Sequence, residues 1–241
     1  VEGSRGLGDV YKRQTPQIYK RIYAIGLSPF LMNVCACVVV VFINKALLDY
    51  GGEIGNLAVG AYGILNRTTM FFVMIVFGVT QGMQPILGFN YGAGEWRRVR
   101  RTLNIGICLG VGITTIGWLL TELMPGMISQ LFTTDPTLID IANRGSRIYF
   151  MFYPVVGCQI VIQNFFQSVG KPKISIFLSL TRQLLFLLPF LLIFPRYWGI
   201  DGVWCSMTAS DLVAFCFAVG TLIYFSKKQK RHDDTINQPQ G

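Results

Sequence analysis

Gly78-Val-Thr-Gln-Gly-Met-Gln-Pro-Ile-Leu-Gly-Phe-Asn-Tyr-Gly-Ala-Gly-Glu-Trp-Arg-Arg-Val-Arg-Arg101 starts as the end of an apolar run, crosses a Gly/Pro-punctuated stretch and finishes in four arginines within five residues. Pro85 removes a backbone donor, and Gly82, Gly88, Gly92 and Gly94 loosen the chain around it, so the expectation is a helix that bends and stops here. Arg97, Arg98, Arg100 and Arg101 then mark the cytoplasmic face of a membrane.

The whole composition agrees with a membrane setting. Hydrophobic residues make up 52% of the 241 and charged residues 14%, with a mean hydropathy of +0.48. A soluble domain carries about a quarter charged residues, so much of this surface must face lipid. The net charge of +9 sits in short clusters between apolar runs, with no basic stripe interleaved with aromatics, which excludes nucleic acid as the partner.

Six segments reach the roughly 20 residues that a spanning helix needs: Ser28–Leu48, Leu57–Phe89, Leu103–Leu120, Ile148–Gly170, Ile174–Phe194 and Gly202–Phe225. The second is longer than a bilayer core, so either one end protrudes or the chain breaks within Gly82–Gly88. The fold class is all-α, with six transmembrane helices in one lobe over residues 28–226, and residues 227–241 form a polar tail.

Charge asymmetry orients the lobe. Lys12, Arg13, Lys20 and Arg21 precede the first span, Arg97–Arg101 follow the second, Lys171 and Lys173 the fourth, and Lys227, Lys228, Lys230 and Arg231 the sixth. The alternate loops carry Asp49, Glu53, Glu122, Asp135, Asp140 and Asp201, against Arg144, Arg147 and Arg196. Both termini are therefore expected in the cytoplasm, in a multi-pass protein of the cell membrane. Residues 15–27, with Ile18, Tyr19, Ile22 and Tyr23 beside Lys20 and Arg21, suggest an interfacial helix on the cytoplasmic surface. Residues 1–14 have no initiator Met and resemble translated sequencing-adapter read-through, so they are set aside and a longer natural protein is expected.

The pattern G-x-x-P-x-x-G-x-N-Y-G-A-G, with Pro85, Gly88, Asn90, Gly92 and Gly94, resembles the helix 8 to helix 9 region of the multidrug and toxin extrusion (MATE) family. Phe165-Phe-Gln-Ser-Val-Gly-Lys-Pro172, with Gly170, looks like that family's helix 10 exit. Ser28-Pro-Phe with Asn44, and Ala61-Tyr-Gly-Ile-Leu-Asn-Arg67, look like its helices 7 and 8. The resemblance covers Thr15 to Lys228 and implies the second of two six-helix lobes, since the G-x-N-Y-G-A-G element occurs once. It implies a secondary antiporter exporting organic cations in exchange for protons or sodium by alternating access, with the missing N-terminal lobe and the bilayer as partners. A lipid-linked saccharide flippase of the same superfamily is the alternative. Sodium-coupled members carry an acidic residue in helix 7 and another in helix 10. The corresponding spans here contain neither Asp nor Glu, so the coupling-ion site is expected in the missing first lobe. No cofactor or metal is implied.

An enzyme reading finds little material. The only histidine, His232, sits in the polar tail, and no Gly-rich loop followed by Lys-Ser/Thr is present. Cys35, Cys37, Cys108, Cys158, Cys205 and Cys216 all fall inside apolar spans and read as small buried hydrophobes. Polar groups within the hydrocarbon are the functional candidates. Asp211 lies about ten residues into the last span, roughly 14 Å deep. It is expected to be protonated or paired with Arg67 or, in a purely structural role, satisfied by Thr208 or Ser210 or by a broken-helix backbone near the outer surface. Arg182 is expected to snorkel. Gln159, Gln163 and Gln167 share a helical face beside Asn164, and that face suits either a wet cavity or hydrogen bonding between helices; Asn33 and Asn44 carry the same two readings.

Overall fold

The computed structural model describes residues 16–124 and 126–236, and residues 1–14 lie outside them. Helix α1 (Pro16–Gly51) leads through a 3-10 turn, Gly52–Ile54, into α2 (Gly55–Gly92), which is followed by α3 (Trp96–Leu123). A single short turn, α4 (Met127–Gln130), precedes α5 (Pro136–Tyr149) and α6 (Tyr153–Ser168). The chain then enters α7 at Pro172–Leu180, passes a π-helical turn at Thr181–Leu187, and runs helically over Leu188–Ile236 except at Gly199. There φ is 56° and ψ is −132°, a conformation that glycine adopts without steric penalty. The Phe194 carbonyl packs directly on the Cα of Gly202, so the chain doubles back at Gly199. We therefore take α7 as residues 172–198 and α8 as residues 200–236. No strand occurs among the described residues.

Helical stretches long and apolar enough to cross a membrane are Asn33–Gly92, Trp96–Leu123 and Pro172–Gln229. The first and last each contain a reversal, at Gly52 (φ 53°) and at Gly199, so each supplies two crossings. Helices α5 and α6 meet at a 59° bend and together supply one more. Six crossings result, as the hydropathy pattern predicts.

Several boundaries differ from expectation. Helix α1 is continuous from Pro16, so no break separates an interfacial helix over residues 15–27 from the first span. Helix α2 runs through Pro85 without interruption and stops only at Gly92, followed by Gly94 at φ 75°. At 38 residues it is about 57 Å long, so it protrudes from a roughly 30 Å core rather than breaking within Gly82–Gly88. The acidic segment before the fourth span is helical over Pro136–Tyr149. It starts on an N-cap in which Asp135 Oδ1 accepts from the Thr137 N–H at 2.9 Å, with proline in the first helical position. The polar tail begins as a continuation of α8 up to Ile236.

Helix α6 is the centre of the lobe. Ten of its residues, from Tyr153 to Phe166, are buried. It crosses α3 where the Gly110 carbonyl packs on the Cα of Gly157, and Thr114 Oγ1 donates to the Pro154 carbonyl at 3.2 Å across the same contact. In lipid there is little hydrophobic drive between helices, so close backbone approach through small residues supplies the packing. Towards the Arg97–Arg101 end, Trp96, Phe165 and Phe166 all make edge contacts with Phe225, over which Lys171 Nζ sits at 3.9 Å. At the other end Tyr50, Gly51, Ile54, Trp198, Ile200 and Asp201 line one cavity of about 430 Å³, which places both reversals together. Of the six cysteines only Cys158 is buried; Cys37, Cys108 and Cys216 are exposed, as suits side chains on an apolar outer wall.

Candidate functional site

The α5–α6 bend sets Tyr149 and Tyr153 on either side of a short irregular link. Tyr153 Oη donates to the Thr69 carbonyl at 3.1 Å, and Thr69 Oγ1 reaches Tyr149 Oη at 3.4 Å, so both phenols converge on one turn of α2. Thr208 Oγ1 on α8 donates to the Ile148 carbonyl at 2.8 Å, in the last turn of α5, where the Met151 N–H also reaches it at 3.4 Å. Asp211 follows Thr208 by one turn on the same face of α8 and is thereby aimed at the bend.

The partner of Asp211 is Arg182. Arg182 Nε lies 2.6 Å from Asp211 Oδ1, and the side chains are 32% and 13% exposed respectively. The Nε–Oδ1 contact is a charge contact without an aligned hydrogen bond. This corrects three expectations. Arg67 is exposed and forms no ion pair among the described residues. Arg182 does not snorkel away. Thr208 and Ser210 do not satisfy the carboxylate, because their hydroxyls go to the Ile148, Trp204 and Met207 carbonyls. Counting from helix starts explains the pairing. Arg182 is about 15 Å from Pro172 and Asp211 about 18 Å from Gly199, and both depths fall near the middle of a roughly 30 Å core. Tyr149 and Tyr153 stand on the bend towards which Asp211 is aimed. The result is a paired carboxylate and guanidinium, held between a π-helical turn of α7 and the face of α8 that meets the broken α5–α6 element.

The amide candidates are dispersed. Gln159 is 1% exposed, and neither of its amide atoms has a hydrogen-bond partner among the described residues. Gln163 is half-buried and Gln167 exposed, so the stripe runs from the core outward instead of lining one open wall. Asn164 Nδ2 donates to the Ile160 carbonyl of its own helix at 3.0 Å. Asn44 is half-buried with Oδ1 unpartnered, and Asn33 is exposed on α1. Among the signature residues, Gly88 lies against the Ser168 carbonyl, Asn90 Nδ2 donates to the Ile86 carbonyl at 2.8 Å, and Gly94 and Gly170 have φ of 75° and 72°. Their role is to end α2 and α6 and to pack those ends together.

The sequence profile of the MatE family matches residues 25–193. This chain belongs to the MatE family. The multidrug export protein MepA of Staphylococcus haemolyticus is 24% identical to this MatE chain over 207 residues, which are 85% of this chain and 44% of the relative. MepA of Staphylococcus saprophyticus is 22% identical over 231 residues, 96% of this chain and 49% of the relative. The chain thus spans about half the length of the curated relatives it matches. Among solved structures, the MATE multidrug transporter DinF-BH matches with 33% identity and a TM-score of 0.73, over 88% of this chain and 47% of that one. A MATE crystal structure in the straight conformation matches with 21% identity and a TM-score of 0.80, over 90% and 48%. MatE proteins are membrane transporters, so the apolar outer wall of this lobe faces lipid.

Proposed function

We propose that this chain is the C-terminal lobe of a secondary active antiporter that exports organic cations in exchange for protons or sodium. Its substrate cavity lies between this lobe and an N-terminal lobe of the same protein. The charge bias of the loops supports an orientation with Arg97–Arg101 and Lys227–Lys228 in the cytoplasm of a cell-membrane protein. The observation that carries the reading is the Arg182–Asp211 pair. A carboxylate and a guanidinium at mid-depth are costly in lipid, yet here they meet at a π-helical turn of α7, on the face of α8 that is aimed at the α5–α6 bend. A carboxylate at that depth suits an organic cation. The coupling ion is assigned to the first lobe, because α1, α2 and α6 contain no acidic residue within their apolar runs.

Transport follows from alternating access. The lobe moves as a unit against its partner, and the ion and the substrate shift the equilibrium only through their different affinities for the two arrangements. The test is ethidium efflux from cells expressing either the complete two-lobe protein or residues 15–241 alone. Efflux by the complete protein and none by the lone lobe is expected. Efflux by the lone lobe would contradict the two-lobe cavity.

A further inference from the structure

We propose that Arg182 is a tethered cation that an organic-cation substrate displaces from Asp211. The inference rests on the export reading above and adds how the site is kept occupied between transport cycles. Three observations carry it. Asp211 is the better buried partner and Arg182 the more open one, at 13% against 32% exposure, so the guanidinium can leave while the carboxylate stays. Their Nε–Oδ1 approach is not an aligned hydrogen bond, unlike each arm of the two-point fork that locks arginine to a carboxylate. Arg182 is also the second residue of the π-helical turn Thr181–Leu187, and short π segments are places where a helix departs from its regular register.

Chemically, the guanidinium and a substrate cation compete for one carboxylate. With substrate absent, Arg182 neutralises Asp211 and spares the lobe an unpaired charge at mid-membrane. With substrate present, the cation takes the carboxylate, and the more exposed guanidinium is released. The site then carries one positive charge more than before. Nothing is made or broken covalently. Removing a competitor tightens binding, whereas removing a structural support weakens it, so the sign of the effect separates the two roles.

The test is equilibrium binding of tetraphenylphosphonium to the purified two-lobe protein in lipid nanodiscs, with uncharged triphenylphosphine oxide as control. Arg182→Gln should tighten tetraphenylphosphonium binding about fivefold, the scale of one partly exposed ion pair, and leave the uncharged control unchanged. Asp211→Asn should weaken it. Unchanged or weaker cation binding by Arg182→Gln would overturn the displacement. If that variant is not monodisperse, Arg182→Met, which also removes the charge, carries the test: tighter binding supports the displacement, and unchanged or weaker binding overturns it. Absence of any tetraphenylphosphonium binding by the wild type would instead contradict the organic-cation reading, and the displacement with it.

Discussion

Arg182 and Asp211, on consecutive antiparallel helices, meet at 2.6 Å near the middle of the lobe, whereas Arg67 points outward and pairs with nothing among the described residues. The pairing makes a specific energetic prediction. In a double-mutant cycle on detergent-solubilised protein, Arg182→Gln and Asp211→Asn should couple by about 1 kcal/mol. Arg67→Gln and Asp211→Asn should be additive within about 0.5 kcal/mol. Coupling to Arg67 in place of Arg182 would restore the partner expected from the sequence.

The second ion pair of the lobe should matter less. Arg144 Nη2 and Asp201 Oδ2 lie 2.5 Å apart at the acidic end, with side chains 72% and 33% exposed. An exposed pair contributes about 0–1 kcal/mol, and its effect is screened by salt. Arg144→Gln should therefore shift the thermal midpoint by no more than a few degrees. A shift of ten degrees or more would show that this pair, and not helix packing, holds α5 on α8.

Two glycine substitutions should act in opposite directions. Gly157→Ala would place a methyl group on the Gly110 carbonyl and push α6 off α3, with an expected loss of about 1–3 kcal/mol. Gly112, on α3, has nothing within 4 Å of its would-be Cβ. Gly112→Ala should therefore be neutral, or stabilise by up to about 1 kcal/mol through helix propensity. Thermal unfolding in detergent checks both.

The orientation is testable by chemical labelling. In a background with the cysteines removed, a cysteine at Glu53 should react with an impermeant maleimide added to intact cells, and one at Arg100 should not. Removal of the native thiols is needed because Cys37, Cys108 and Cys216 are exposed. Labelling at Arg100 and not at Glu53 would reverse the topology.

The six crossings were legible in the sequence because hydropathy reports a property of each segment by itself. The Gly88–Gly94 signature was legible for the same reason: glycine and asparagine end a helix locally. A local signal exists for α5 as well. Asp135-Pro136 is an N-cap followed by a first-turn proline, and it announces α5. Pro85, by contrast, is a local stop signal inside a helix that continues to Gly92. The partner of Asp211 was not legible, because it depends on where α7 starts, how the π turn rotates Arg182, and how Gly199 folds α7 on α8. These are relations between helices. Gln159 illustrates the same limit, since its helical face was evident while its burial in the core depends on α6 lying at the lobe centre.

The most direct measurement is ethidium efflux by the complete two-lobe protein carrying Asp211→Asn, normalised to the amount of transporter in the membrane. If Asp211 is the lobe's cation-attracting group, efflux per molecule should fall about tenfold, the effect of roughly 1.4 kcal/mol lost from one charged contact. Efflux per molecule equal to that of the wild type would remove Asp211 from the transport pathway and contradict the account.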